Sequence, residues 1–88
     1  MRITFDPDAW DDYLHWQATD SRMLAKLNGL LAECQRHPVK GAGKPEPLRD
    51  NLKGWWSRRI DREHRLVYRV SGSGDAQALE LAQCRFHY

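Results

Sequence analysis

The stretch that decides the fold is residues 55–70, WWSRRIDREHRLVYRV, in which two strand-like runs flank a polar turn. Within residues 64–70, Leu66, Tyr68 and Val70 alternate with residues of the opposite face, two of which are arginines. Alternation of this kind is typical of a strand that turns one face to a core. The stretch therefore predicts an antiparallel hairpin in which one face is apolar and the other is basic.

A short strand and a helix are expected at the start of the chain. Residues 2–5 alternate polar and apolar side chains, as a strand does. An Asp-Pro pair follows, which suits a helix start because Asp accepts hydrogen bonds from free N–H groups and Pro fits the first helical position. Residues 7–18 then place Trp10, Tyr13 and Leu14 on one helical face, which predicts that this face packs on the core.

A second helix is predicted directly after the first. Asp20 lies in a polar triplet that breaks the first helix and offers a new N-cap. The helix should end near His37-Pro38, because a residue before Pro avoids the helical conformation. One apolar stripe runs along it, made of Met23, Leu24, Leu27, Leu30, Leu31 and Cys34.

The rest of the chain completes an α+β pattern. Residues 38–54 hold three of the four prolines and three of the six glycines, which predicts a long irregular loop of the kind that is usually functional or disordered. A flexible tip at 71–75 precedes a last strand over 78–86. The element order β-α-α-β-β-β predicts an antiparallel sheet with the helix pair packed on one face, and residues 1–88 form one domain.

Composition narrows the possible classes. Apolar residues make up 41% of the 88, enough for one modest core. The chain shows no signal-peptide pattern and no apolar stretch long enough to span a membrane, so a cytoplasmic protein is expected. Cys34 and Cys84 are far apart and show no metal-ligand spacing, which favours two reduced thiols and predicts neither a metal nor another cofactor.

The charge is unevenly distributed. Residues 1–39 hold four Lys/Arg and six Asp/Glu, residues 40–65 hold eight and four, and residues 66–88 hold two of each. The positive middle segment also contains Trp55 and Trp56. Basic groups interleaved with aromatic rings suit a polyanion whose bases can stack. A solvated loop beside two buried Trp residues explains the same charge equally well.

Some residues could carry RNA cleavage by the substrate's own 2′-hydroxyl, which needs a base, an acid and a cationic clamp for the phosphoryl group. Glu46 lies between two prolines that restrict its backbone, and Arg65 carries the planar fork that matches phosphate oxygens. His87 and Tyr88 follow the last strand. The plain alternatives are a solvated loop carboxylate, a surface arginine and a frayed chain end.

Two neighbouring positions are less promising for this chemistry. Arg58 and Arg59 point to opposite faces of their strand, so at most one of them can join Arg65. His64 is expected to be structural rather than catalytic.

Four stretches taken together, DDYLHWQATD, GKPEPL, NLKGWWSRRIDREHRLVY and CRFHY, resemble the YoeB (Txe) family of toxins from bacterial type II toxin–antitoxin modules, within the RelE/ParE superfamily. The resemblance covers nearly the whole chain in register. It implies the RelE/ParE-like fold and a metal-independent mRNA endoribonuclease, an mRNA interferase. Such a toxin would cut message in the ribosomal A site, leave a 2′,3′-cyclic phosphate and a 5′-hydroxyl, and inhibit translation.

The resemblance also implies residue roles at the matching positions. Glu46 would be the general base, His87 the general acid and Arg65 the phosphate clamp, while Tyr88 would orient the substrate. Three further basic residues are implied RNA contacts: Lys44, Lys53 and Arg59.

Several partners follow from the same resemblance. They are a cognate YefM-like antitoxin, the bacterial 70S ribosome with A-site mRNA, operator DNA through the antitoxin complex, and a second copy in a homodimer; no membrane is implied. The hairpin tip at 71–77 looks longer than is usual in the family.

Two other readings are a ParE-like toxin that acts on DNA gyrase without nuclease activity, and a non-catalytic antitoxin- or operator-binding module. The presence of Glu46, Arg65 and His87 counts against the first. The second stays open, because a set of residues does not prove their geometry.

Overall fold

The computed structural model describes residues 1–86, so the expectations for His87 and Tyr88 lie outside the described residues. Within this part of the chain no helix has the length and apolar character needed to cross a membrane. The elements along these residues are β1 (Arg2–Phe5), α1 (Pro7–Thr19), α2 (Ser21–Arg36), β2 (Glu46–Pro47), β3 (Trp56–Arg59), β4 (Arg65–Ser71) and β5 (Ala78–Gln83).

The strands form one mixed sheet in the order β1-β5-β4-β3-β2. The predicted α+β fold with the helix pair packed on the sheet is confirmed. One expectation is wrong: the sheet is not wholly antiparallel, because β1 pairs with β5 in parallel, with Arg2 opposite Ala78. Parallel neighbours need a long connection between them, and here the two helices and three other strands supply it.

The strand β2 lies inside the stretch that was predicted to be irregular throughout. Glu46 pairs with Ser57 and Pro47 pairs with Trp56. Proline suits this position because β2 is at the edge of the sheet, where the missing N–H interrupts no ladder. The last strand is shorter than predicted and ends at Gln83.

Both helices begin where the sequence predicts. The Oδ1 atom of Asp20 accepts hydrogen bonds from the N–H groups of Arg22 and Met23, each at 3.1 Å, and so caps α2. Pro7 occupies the first position of α1 as expected. The preceding Asp6 makes no capping bond with its side chain, contrary to the expectation.

The core lies between the helix pair and one face of the sheet. The predicted stripe of α2 is confirmed, since its five buried residues all belong to that stripe and Leu24 packs against the core from its margin. The sheet contributes four fully buried side chains to the hydrophobic core, and burial of each leucine among them stabilises the fold by about 1.5–3 kcal/mol. These are Leu66, Tyr68, Leu79 and Leu81.

The predicted core face of α1 is wrong for two of its three residues. Trp10 and Leu14 are 47% and 39% exposed, whereas Tyr13 is partly buried and packs against the core. The large side chain that α1 buries is Trp16, and its indole Nε1–H donates to the carbonyl of Cys84 at 2.8 Å. The face of α1 that packs on the core therefore carries Ala9, Tyr13 and Trp16, an i, i+4, i+7 stripe that lies beside the predicted one.

Candidate functional site

The sheet face turned away from the helices, called the outer face, groups three of the predicted site residues. Strand pairing sets Glu46 opposite Ser57, Ser57 opposite Val67, and Arg59 opposite Arg65. Paired residues, and residues two apart along a strand, point to the same face. From the spacing of strands and residues, the Cα atoms of Glu46 and Arg65 lie on the order of 12 Å apart. Their long side chains can therefore approach one small substrate group from two sides.

The centre of the outer face is buried. Ser57, Arg65 and Val67 are 1%, 7% and 2% exposed, and Val67 is not a member of the core cluster. Glu46 and Arg59 are exposed. The sequence alternative of a surface arginine at position 65 is therefore wrong, because strand alternation predicts the face of a residue but not what covers it.

The guanidinium of Arg65 is held against the turn between β3 and β4. Its Nη1 donates to the carbonyls of Asp61 at 3.1 Å and of His64 at 3.4 Å. Asp61 in turn orders that turn, since its Oδ1 accepts from the N–H groups of Glu63 and His64 at 2.9 and 2.7 Å. Burial raises the pKa of Asp61, but these hydrogen bonds outweigh it and hold the pKa below its ordinary value. One end of the Arg65 fork is thus fixed in direction.

Residues 37–47, called the loop segment, carry Glu46 toward the sheet. Besides the β2–β3 pairing, the N–H of Arg59 donates to the carbonyl of Gly43 at 2.7 Å. Gly43 has φ +83, and a Cβ there would lie 3.1 Å from the Cβ of Arg58 and 3.0 Å from the carbonyl oxygen of Arg59. Glycine is required here because the backbone of the loop segment approaches β3 so closely.

Two buried side chains hold the loop segment: Tyr68, whose hydroxyl donates to the carbonyl of Pro38, and Arg58, which is fully buried on the helix side of the sheet. Its guanidinium donates to the carbonyls of His37, Lys40 at 2.9 Å and Ala42 at 3.0 Å, and its Nε donates to the Tyr68 hydroxyl at 3.1 Å. No carboxylate among residues 1–86 forms an ion pair with it. Hydrogen bonds to backbone carbonyls compensate the buried charge instead. The role of this arginine is therefore structural.

Residues 84–86, called the C-terminal segment, are held first by α1. The N–H of Cys84 donates to Oδ2 of Asp12 at 3.0 Å, and the carbonyl of Cys84 accepts from the indole of Trp16 at 2.8 Å. Burial raises the pKa of Asp12, although the Cys84 N–H and the charge of Arg85 act in the opposite direction. A helix carboxylate and a helix indole thus bracket one residue of the segment.

Phe86 is held by the turn and β4. Its N–H donates to Nδ1 of His64 at 2.8 Å, and its carbonyl accepts from the N–H of Arg65 at 3.0 Å. His64 is 8% exposed, in line with the structural role expected for it. The last described residue before His87 is therefore bonded to the backbone of Arg65.

The two predicted lysines are less closely connected to this arrangement. Lys44 is exposed, has φ +53 and lies two residues before Glu46. Lys53 follows a short 3-10 turn in the β2–β3 connection, where its N–H donates to the carbonyl of Asp50 at 3.1 Å. Among the residues that the structure describes, neither lysine has a hydrogen bond or ion pair to Glu46.

The two neighbouring tryptophans have different surroundings in the fold. Trp56 packs against the core. Trp55 is two residues from Ser57 and lies under the guanidinium of Arg69, whose Cζ is 4.5 Å from the ring centroid. Sequence reasoning missed Ser57, because its place opposite Glu46 depends on the register of a two-residue strand that no pattern reveals.

The two cysteines are free and buried. Burial raises the pKa of Cys34 to about 11 and that of Cys84 to about 12, the latter helped by the charge of Asp12. Within residues 1–86 no group of three or more His, Cys, Asp or Glu side chains is placed to hold a metal ion.

Comparison with known proteins identifies the family. Residues 5–88 match the model of the YoeB-like toxin of bacterial type II toxin–antitoxin systems. The protein called Toxin YoeB in Escherichia coli K12 is 50% identical over 88 residues, which are 100% of both chains.

Solved structures agree with this match. A YoeB/ParE toxin from Agrobacterium tumefaciens is 56% identical and superposes with a TM-score of 0.97 over 100% of both chains. The toxin of a heterotetrameric YoeB–YefM complex from Staphylococcus aureus is 45% identical with a TM-score of 0.88, and a YoeB dimer from the same organism is 44% identical with a TM-score of 0.86. Each covers 100% of this chain and 98% of its own.

The fold is that of the RelE-like toxins, which more distant neighbours share. Within that class, the full-length identities and the family match lead to a single group. The chain belongs to the YoeB-like toxins of bacterial type II toxin–antitoxin systems, and the resemblance seen in its sequence is confirmed.

Proposed function

We propose that this toxin is a ribosome-dependent mRNA endoribonuclease that cuts message in the ribosomal A site and so inhibits translation in the cytoplasm. The observation that carries the proposal is the grouping on the outer face. Glu46 and Arg65 share that face, and the backbone of Phe86, which leads to His87, is bonded to Arg65. Three separate segments of the chain thus supply a carboxylate, a guanidinium and the attachment point of an imidazole.

The chemistry needs only these groups and the substrate. Glu46 takes the proton of the 2′-hydroxyl, whose oxygen forms a bond to the adjacent phosphorus. The bond from phosphorus to the 5′ oxygen breaks, and His87 gives that oxygen a proton. Arg65 stabilises the negative charge that develops on the phosphoryl oxygens, and Tyr88 orients the nucleotide. The products are a 2′,3′-cyclic phosphate and a 5′-hydroxyl.

Substrate positioning is divided between the toxin and its partners. Lys44, Lys53 and Arg59 contact phosphates, and such contacts are sensitive to salt and indifferent to sequence. The 70S ribosome therefore supplies most of the alignment of the A-site message. A YefM-like antitoxin binds the toxin and blocks the outer face, and the complex binds operator DNA; the toxin also forms a homodimer. The YoeB–YefM complex and the YoeB dimer of the Staphylococcus aureus relative support the proposals of an antitoxin partner and a homodimer.

A modified message tests the mechanism. The purified toxin is added to ribosomes that hold either an all-ribose message or one with 2′-deoxy or 2′-O-methyl at the scissile nucleotide, and cuts are mapped by primer extension. We expect discrete cuts at the A-site codon of the first message and an intact second message, because the nucleophile is missing. Cleavage of the modified message would mean that water attacks and would overturn the mechanism.

The same purified protein separates the other readings. The Agrobacterium tumefaciens relative is described as a YoeB/ParE toxin, so a gyrase supercoiling assay belongs beside the cleavage assay. Inhibition of gyrase without message cleavage would favour the ParE-like reading. Antitoxin binding with neither activity would favour the non-catalytic module.

A further inference from the structure

Phe86 has a backbone conformation that needs support. Its φ is +66, in the left-handed region that residues other than glycine rarely adopt. The residue is 54% exposed, so burial does not explain the conformation. What holds the residue on both sides is its pair of backbone hydrogen bonds, from its N–H to Nδ1 of His64 and from the N–H of Arg65 to its carbonyl.

The imidazole of His64 is oriented for this bond. The ring is buried and makes an edge-to-face contact with Trp16 at 4.8 Å between centroids. Its Nδ1 accepts from Phe86, so in the neutral ring the proton lies on Nε2, and Nε2 faces Oε1 of Glu63 at 3.3 Å. Both ring nitrogens therefore have partners that favour one tautomer.

We propose that His64 is a positioning residue for the cleavage reaction, acting through the Nδ1 bond that holds Phe86 and so sets where the chain leaves toward His87. The proposal rests on the proposed function, in which His87 is the general acid. Proton transfer needs close alignment of donor and acceptor, and a small displacement lowers the rate of the chemical step. His64 is buried, so its loss should affect that step rather than ribosome binding.

Two substitutions isolate the acceptor. In His64→Asn, the amide oxygen is bonded to Cγ, as Nδ1 is, and can accept from the Phe86 N–H. In His64→Gln, the amide lies one carbon further out and leaves no acceptor at that position. Both variants lose the ring contact with Trp16, so the pair differs chiefly in the bond to Phe86.

Single-turnover cleavage of ribosome-bound message is measured over a range of ribosome concentrations. We expect His64→Gln to lower the maximal rate about ten- to a hundredfold with an unchanged half-saturating concentration. His64→Asn should stay within about threefold of the unsubstituted toxin, since one hydrogen bond is retained. Equal loss in both variants, a loss confined to half-saturation, or a His64→Gln variant at full rate would each overturn the proposal.

A second measurement separates this proposal from the proposed function. Exchange of the Phe86 amide hydrogen, followed by NMR without ribosomes, should accelerate in His64→Gln and not in His64→Asn. If exchange responds in this way but the unsubstituted toxin cuts no message, the proposed function fails and the positioning role falls with it. If the toxin cuts and exchange is the same in both variants, the positioning proposal alone fails. Leu24→Ala, a partly buried change in α2, serves as the control for lost stability, and its rate should equal that of the unsubstituted toxin.

Discussion

The loop segment and the C-terminal segment bring groups to the same sheet, but they are held in different ways. One buried side chain, Arg58, binds three carbonyls of the loop segment, and β2 pairs the end of that segment with β3. The C-terminal segment is held at two separate residues by hydrogen bonds from different elements: α1 makes two bonds to Cys84, and His64 and the N–H of Arg65 each make one to Phe86. The loop segment should therefore loosen as a unit, whereas each residue of the C-terminal segment can be released separately.

Two buried arginines on neighbouring strands also differ in how the protein binds them. Arg58 gives Nε, Nη1 and Nη2 to the protein, on the helix side of the sheet. Within the described residues, Arg65 makes its side-chain hydrogen bonds through Nη1 alone, on the outer face. Burial alone thus does not separate a structural arginine from a candidate phosphate ligand; the direction of the N–H groups does.

The largest effects should come from one substitution in the loop segment and one at His87, which follows the C-terminal segment in sequence, since the proposed mechanism needs both groups. Glu46→Ala and His87→Ala should each lower single-turnover cleavage on ribosomes by about 10²–10⁴-fold, because each removes one proton-transfer group. Antitoxin binding and the thermal unfolding midpoint should change little for Glu46→Ala, whose side chain is exposed. Asp75→Ala, an exposed carboxylate at the β4–β5 tip, is the control for lost charge. A folded variant of either site residue that cuts at the unsubstituted rate would remove it from the mechanism.

A stability measurement tests whether the loop segment depends on one side chain. Arg58→Leu should lower the free energy of unfolding by about 3 kcal/mol, because several buried carbonyls and a hydroxyl lose their donor. Arg59→Leu, its exposed neighbour, should stay within about 0.5 kcal/mol. Urea denaturation gives both values. Amide exchange should accelerate over residues 37–44 and not over 84–86; uniform acceleration would show that the two segments are not independent.

The smallest effect concerns the bond from Asp12 to the C-terminal segment. Burial raises the pKa of Asp12 in the folded chain above its ordinary 3.8. Between 3.8 and the raised pKa, the folded chain keeps a proton that the unfolded chain has lost, so this group makes stability fall as pH rises. Asp12→Asn still offers an oxygen to the Cys84 N–H and has no such titration.

The expected result is an Asp12→Asn variant at least as stable at pH 7 as the unsubstituted toxin, with the difference shrinking as the pH falls through the raised pKa of Asp12 toward 3.8. Unfolding free energies at several pH values test this, with the exposed Asp11→Asn as the control for charge on α1. A destabilised Asp12→Asn variant at pH 7 would show that the charged form is needed to hold Cys84.

Much of the fold could be predicted because the relevant signals are local. The stripe of α2 and its Asp20 cap are read within one helix, and the β3–β4 hairpin is read from alternation across one turn. The face of α1 was predicted wrongly because two apolar stripes overlap on it: Tyr13 belongs both to the predicted stripe with Trp10 and Leu14 and to the packed stripe with Ala9 and Trp16. Periodicity alone does not choose between the two stripes, and the bond from Trp16 to the distant Cys84 is not visible in it.

The candidate site was only partly predictable for related reasons. Strand alternation predicts that at most one of Arg58 and Arg59 shares a face with Arg65, and the observed register shows that it is Arg59. The burial of Arg65 does not follow from strand alternation, because the residues that bury a side chain on a sheet face can come from distant parts of the chain. The place of Glu46 opposite Ser57 depends on β2, whose two residues include a proline and carry no strand signal.

The parallel pairing of β1 with β5 has a consequence for the order in which the chain can fold during synthesis. β1 is made first, but its partner Ala78 and the fully buried Leu79 and Leu81 are made last among the strands. Contacts so distant in sequence form late, after the entropy of closing a long loop has been overcome. Until β5 has emerged from the ribosome, β1 has no neighbour and the core is incomplete. The nascent toxin is therefore expected to have an incomplete sheet, and to be inactive, until the whole of β5 has left the ribosome that translates it.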